Sequence, residues 1–258
     1  MGRSKCLLLV LLLCAQGARA GAGPPVLRLA DAPVQELGAG YLSLWRDPTG
    51  KATLEDAQAA ASAGAFTPLP GNLSLGYVPD AAWLRFLVTV PEGPIQSRWL
   101  EVAPPFLDHV DVYRLLPEGG VDHRRSGDLT PISAMELDYR NFAFRYALAP
   151  GTHEFFLRVQ AKGLLVAMAR FRTPEGLLAW LQSSYLRHGL FLGAFVAVLL
   201  GALTVALVLR DRLALLFSAT IFVVCAQNAS NLGFLRQFIF PEAPSVADAL
   251  TGPLVLLV

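Results

Sequence analysis

His109 and Asp111 stand two residues apart in the run HVDVY, and His123 follows beyond a PEGG turn. Alternate residues of a strand share a face, so the first pair projects the same way. Imidazole and carboxylate groups gathered like this can ligate a metal ion. They serve equally as exposed polar positions on a sheet face, and the reading taken is no metal and no cofactor. Ser126-Gly127-Asp128 reads as a turn, and the chain carries no GxSxG, HExxH or phosphate-loop pattern, so no catalytic set is expected. A binding surface is better supplied. Trp83 and Arg85 share one face of the run WLRFLVTV, Tyr77 precedes it, and Tyr113 lies on another strand. Aromatic rings stack on sugar faces and guanidinium groups grip carboxylates or hydroxyls. The expected ligand site is therefore Tyr77, Trp83, Arg85 and Tyr113, taking a small molecule or carbohydrate. The structural alternatives are Trp83 as a core filler and Arg85 as half of an ion pair.

The elements that must position these side chains are strands. In residues 83–90, Leu84, Phe86, Val88 and Val90 alternate with Trp83, Arg85, Leu87 and Thr89. In 142–148, Phe142, Phe144, Tyr146 and Leu148 alternate with smaller or polar residues. Further strands are predicted at 41–45, 98–102, 110–115, 153–160 and 164–171, with PEGP, PEGG, APGT and AKG as turns. One short helix is predicted over 54–61, capped by Thr53. Many short strands with Gly/Pro turns predict an all-β sandwich of jelly-roll type.

The whole chain has 258 residues, 54% hydrophobic and only 16% charged, against about 25% charged in an average soluble domain. The deficit is uneven. Residues 25–172 have ordinary globular composition, whereas the two ends are apolar. At the start, Arg3 and Lys5 precede an apolar core at 6–15 and the small-x-small sequence Ala18-Arg19-Ala20. That order predicts a cleaved secretory signal over 1–20. Its removal takes Arg3, Lys5 and Arg19, leaving 18 of the 21 basic residues against 20 acidic ones, net −2. So balanced a chain is not expected to bind nucleic acid. Of three cysteines only Cys225 remains, so no disulfide is expected.

Residues 189–209 and 213–235 each run without a formal charge, separated by Arg210-Asp211-Arg212. Each run is long enough for a spanning helix. The expected spans are about 189–209 and 213–232, with the triplet as the turn of a hairpin on the cytoplasmic side, where basic residues are favoured. Thr173-Pro174 reads as a helix start, giving a juxtamembrane helix at 173–188 that joins the sandwich (21–172) to the membrane with little slack. Trp180 and Tyr185 are expected at the membrane interface. Gln227, Asn228 and Asn231 are expected to face other helices. A third apolar run begins near 249 and reaches 258, too short to cross, so the membrane region (189–258) is expected to be cut within a third span.

With these motifs in place, the chain resembles the input half of seven-transmembrane receptors with diverse intracellular signalling modules, carrying extracellular domain type 2. The resemblance rests on LGYVPDAAWLRF (75–86), RWLEVAPPFLDHVDVY (98–113), SGDLTP (126–131) and FFLRVQ (155–160). It continues through GLFLG (189–193), LRDR (209–212) and GFLRQF (233–238). One departure lies in ISAMELDYR (132–140), where the arginine that such receptors place soon after the proline comes late, as Arg140. The resemblance implies a carbohydrate-binding-module-like jelly roll in the periplasm of a bacterium. It also implies inner-membrane helices and a report to a kinase, cyclase or phosphatase module outside this chain. Expected partners are membrane lipid, a small-molecule or carbohydrate ligand and a second copy in a homodimer. The alternative is a membrane-tethered binding or scaffold protein without signalling.

Overall fold

The computed structural model describes the backbone of residues 25–256 and the side chains of residues 25–250. The signal segment expected at 1–20 lies outside the described residues. Twelve strands, β1 (Val26–Arg28), β2 (Val34–Glu36), β3 (Leu42–Asp47), β4 (Thr67–Leu69), β5 (Leu73–Tyr77), β6 (Ala81–Val90), β7 (Gln96–Ala103), β8 (His109–Leu116), β9 (Gly120–Ser126), β10 (Phe142–Leu148), β11 (Gly151–Gln160) and β12 (Leu164–Arg172), form two sheets. The first runs β4-β3-β6-β11-β8-β9, with β1 beside β6; the second runs β10-β7-β12-β2, with β5 beside β12. From β6 to β12 the chain crosses repeatedly between the sheets, and the result is a jelly-roll sandwich.

Period-two patterning explains the core. Leu84, Phe86 and Val88 of β6 and Phe155, Leu157 and Val159 of β11 point inward against Leu100, Val102 and Phe171 of the second sheet, all buried. Phe86 and Phe155 stack with centroids 5.1 Å apart. The predicted helix is present as α1 (Leu54–Ser62), closed by a capping box between Thr53 and Asp56. It covers the outer face of the first sheet, where Leu54 and Ala57 pack on Trp83 and Phe156. The short strands β1, β2, β4 and β5, and the polar β9, carry too little alternation to be read from sequence. They are held by pairing to longer neighbours.

After Arg172 a single residue, Thr173, caps α2 (Pro174–Leu209), accepting from the Gly176 amide at 2.9 Å. Gly176 is required here: a Cβ on it would sit 2.2 Å from the Pro33 carbonyl oxygen. At 36 residues, α2 is about 54 Å long, longer than the roughly 30 Å hydrocarbon layer, so its first turns stand clear of lipid beside the sandwich. Arg210 closes α2 in a left-handed conformation with φ 53°, and Asp211 caps α3 (Arg212–Asn231) by accepting from the Leu213 amide. Both helices are long and apolar enough to cross a membrane. A π-helical turn, Leu235–Ile239, and α4 (Pro244–Leu256) follow.

Trp180 and Tyr185, expected at the membrane interface, also tie α2 to the residues around it. Trp180 donates from Nε1 to the Tyr139 hydroxyl at 3.0 Å and lies under the Arg172 guanidinium, while Tyr185 donates to Gln237 Oε1 at 2.9 Å. Arg236, in the π-helical turn, is buried under the sandwich.

Candidate functional site

The outer face of the first sheet, beside α1, holds a cleft of about 690 Å³. Its floor is Asp111 on β8, whose side chain is 1% exposed. Strand pairing brings Arg125 opposite Asp111 on β9 and Arg158 opposite it on β11. Oδ1 of Asp111 accepts from Arg125 Nε at 2.6 Å, and His123 Nε2 lies 3.0 Å from the same oxygen. A carboxylate only accepts, so Nε2 carries the proton. Arg158 Nη1 stands 3.5 Å from Oδ2. Arg158 also donates to the Gly50 carbonyl at 2.7 Å and to Gln160 Oε1 at 2.9 Å, which ties the 47–53 loop to the floor. Asp47 shapes that loop. Its burial favours the neutral acid, but hydrogen bonds from Thr49 and the Ala52 amide outweigh this and hold its carboxyl below the ordinary range. Among the described residues no group of three or more His, Cys, Asp and Glu is placed to hold a metal ion.

The four predicted ligand residues are dispersed. Trp83 is fully buried beneath α1, among Leu54, Ala57 and Phe156. Arg85 pairs with Glu154 at 2.6 Å. Tyr113 lines the cleft, and Tyr77, 82% exposed, lines an adjoining depression that shares His109 and Gln160 with it. Tyr113 lies between two rings: Trp83 at 5.7 Å and His123 at 4.2 Å, both nearly parallel to it. Strand order puts Trp83 and His123 on opposite sides of Tyr113, so the stack runs outward from buried Trp83 to Tyr113 and His123, which both line the cleft. Sequence reasoning found His109, Asp111 and His123 but missed Arg125 and Arg158. The i, i+2 spacing of His123 and Arg125 on β9 is the signal for Arg125; Arg158, on β11, is brought in only by cross-strand register.

A second constellation joins the sandwich to the helices. Glu101, on the outer face of the second sheet, is fully buried and accepts from Arg172 Nε at 2.6 Å, Tyr139 at 2.8 Å and Asn141 at 2.9 Å. The Tyr139 hydroxyl in turn accepts from Trp180 of α2. Arg140 of the sandwich donates to Ser184 Oγ of α2 at 2.8 Å and reaches the Leu232 carbonyl at 3.5 Å. Arg236 reaches the other way, to the carbonyls of Gly127 at 2.9 Å and Arg140 at 2.6 Å. Burial pushes the Arg236 guanidinium down to about 10, so it stays charged at neutral pH.

Asp128 sits in the same joint. Burial, with Asp108 and Asp248 nearby, pushes its carboxyl up to about 6. A raised carboxyl binds its proton more tightly in the folded chain than in the unfolded one. Stability from this group is therefore greatest at low pH and declines as pH rises from about 3.8 to about 6. Asp128→Asn is expected to raise the melting temperature by several degrees at pH 8 and to leave it nearly unchanged at pH 4; melting curves across that range check it.

A strand sandwich fixed directly to a membrane hairpin defines a membrane protein with a folded head outside the lipid. Two family models match: 7TMR-DISM extracellular 2 over residues 39–173 and 7TM diverse intracellular signalling over residues 184–258. The chain belongs to this family of membrane receptors, as its sequence motifs indicated, and its matched regions are the extracellular sensor domain and the membrane region. No curated protein matches the chain. Among solved structures, one similar chain is a glycoside hydrolase family 43 arabinoxylan arabinofuranohydrolase from Bacillus subtilis in complex with cellotetraose. Identity is 12%, coverage 60% of this chain and 29% of that one, and TM-score 0.31. Another is an exo-beta-1,3-galactanase from Phanerochaete chrysosporium with beta-1,3-galactotriose, at 9% identity, 55% and 29% coverage and TM-score 0.27. The chain thus spans under a third of these structures' length.

Proposed function

We propose that this chain is the input portion of a receptor of the bacterial inner membrane. In this reading the sandwich lies in the periplasm and its outer cleft binds a small polar ligand of the carbohydrate class. The movement passes through α2 and the Arg140–Arg236 joint toward an intracellular module outside this chain. The observation that carries the reading is the junction itself. One capping residue separates β12 from α2, and two buried arginines donate across the joint in opposite directions, Arg140 to Ser184 and Arg236 to the Arg140 carbonyl. A simple tether has no use for so stiff a connection, whereas a transmitter does.

Two measurements test this. Alkaline phosphatase, active only in the periplasm, is expected to work when fused at position 150 and to be silent at Asp211; the reverse pattern overturns the topology. Hydrogen exchange of the full chain in lipid nanodiscs, with and without a panel of neutral and acidic monosaccharides, is expected to change at 139–141 and 233–239 on binding. A sugar that binds without altering exchange there leaves a membrane-tethered binding protein instead.

A further inference from the structure

We infer that the cleft recognises a carboxylate-bearing sugar rather than a neutral one, a deepening that rests on the ligand-binding reading above. The argument is a count of what the cleft still offers a ligand. Neutral sugars present hydroxyls, which are held by side chains that accept as well as donate. Here the acceptors on the cleft floor are already taken. Asp111 Oδ1 is filled by His123 and Arg125, and Oδ2 faces Arg158. Gln160 Oε1 accepts from Arg158. Glu55 stands at the exposed rim, its carboxyl held low chiefly by its own backbone N–H, while the Thr53 hydroxyl is given to Asp56.

The donors are free. The Arg125 side chain is 68% exposed; it uses Nε on Asp111, and its two terminal amines make no hydrogen bond among the described residues. Lys51 lines the same cleft with an exposed ammonium. Lys51, Arg125 and Arg158 stand against Asp111 and Glu55, a surplus of one positive charge. Two free guanidinium amines match the two oxygens of a carboxylate in a parallel fork. Beside them, His123 ends the three-ring stack with its side chain 39% exposed, a flat surface for the sugar ring. The adjoining depression at Tyr77 gives room for a second sugar unit.

The test uses the full chain in lipid nanodiscs with three probes: D-galacturonate, D-galactose and inorganic phosphate, followed by calorimetry and saturation-transfer NMR. Galacturonate is expected to bind at least about tenfold tighter than galactose, with an advantage that shrinks as salt is raised. Arg125→Gln is expected to abolish the advantage. Lys51→Gln, on the exposed loop, is expected to lower it severalfold with the melting temperature unchanged. Equal binding of galactose overturns the acidic class while leaving the sugar reading intact. Phosphate binding as tightly as galacturonate removes the sugar from the proposal and leaves a plain anion site. Galacturonate binding untouched by both substitutions places the ligand elsewhere, and absence of binding by either sugar overturns this inference and the reading beneath it together.

Discussion

Glu101→Ala is expected to destabilise the chain by about 3–5 kcal/mol, the usual cost of removing one partner from a buried ion pair. The reason lies in what the substitution strands. Arg172, its side chain 5% exposed, donates Nε to Glu101 at 2.6 Å, and Arg170 stands 3.6 Å away. Without the carboxylate, Arg172 loses its counter-charge, and Arg170 keeps only the half-exposed Glu36, 3.2 Å away. The Tyr139 hydroxyl and the Asn141 amide lose their acceptor as well. Because Tyr139 also receives Trp180 of α2, the damage spreads to the junction. Glu101→Gln keeps the shape and one acceptor oxygen, so its loss is expected to be smaller. Thermal unfolding of the full chain in detergent checks both, and an alanine variant melting within a degree of wild type overturns the argument.

The same carboxyl has a pH signature. Burial raises the Glu101 carboxyl, but the Arg172 hydrogen bond and the charges of Arg170 and Arg172 outweigh it, and the net shift is downward from 4.5. A depressed carboxyl contributes stability that is complete above its unfolded value and is lost as pH falls through its folded one. Wild type is therefore expected to lose this contribution below about pH 4.5, and Glu101→Gln to lack that component. Asp128 acts with the opposite sign at slightly higher pH, so the two are separated by measuring Glu101→Gln in the Asp128→Asn background.

Arg236→Met is expected to uncouple the head from the membrane region while leaving the cleft intact. The guanidinium is buried, donates to the Gly127 and Arg140 carbonyls, and lies 5.3 Å over the Phe142 ring. Methionine fills similar volume but donates nothing, and each buried carbonyl left without a partner costs about 1–3 kcal/mol. The expected result is faster hydrogen exchange across 127–128 and 233–239, with exchange in β8 and β11 unchanged. In a receptor carrying its intracellular module, ligand affinity is expected to persist while output is lost. Affinity and output falling together would show instead that Arg236 acts on the fold of the whole head.

Period-two alternation alone placed seven strands and the sandwich, because a two-sided sheet must bury one face and any other register would expose Phe86, Phe155 and their neighbours. Charge spacing alone placed the membrane hairpin: Arg210, Asp211 and Arg212 are costly in lipid, so they define the turn between two helices. The family motifs were equally legible. What only the tertiary structure decided is which polar groups meet. Asp111, Arg125 and Arg158 come from three strands, the first and the last 47 positions apart, and are joined by cross-strand register. Glu101 and Trp180, or Arg140 and Leu232, belong to segments that sequence reads separately, one as sheet and the other as membrane helix. Trp83, by pattern an outward residue fit for a ligand, is sealed by α1, and the rings left for the cleft include Tyr113 and His123. Periodicity reports which face of an element is apolar; it carries no information about what another element lays over that face, and both the cleft and the joint are made by such overlays.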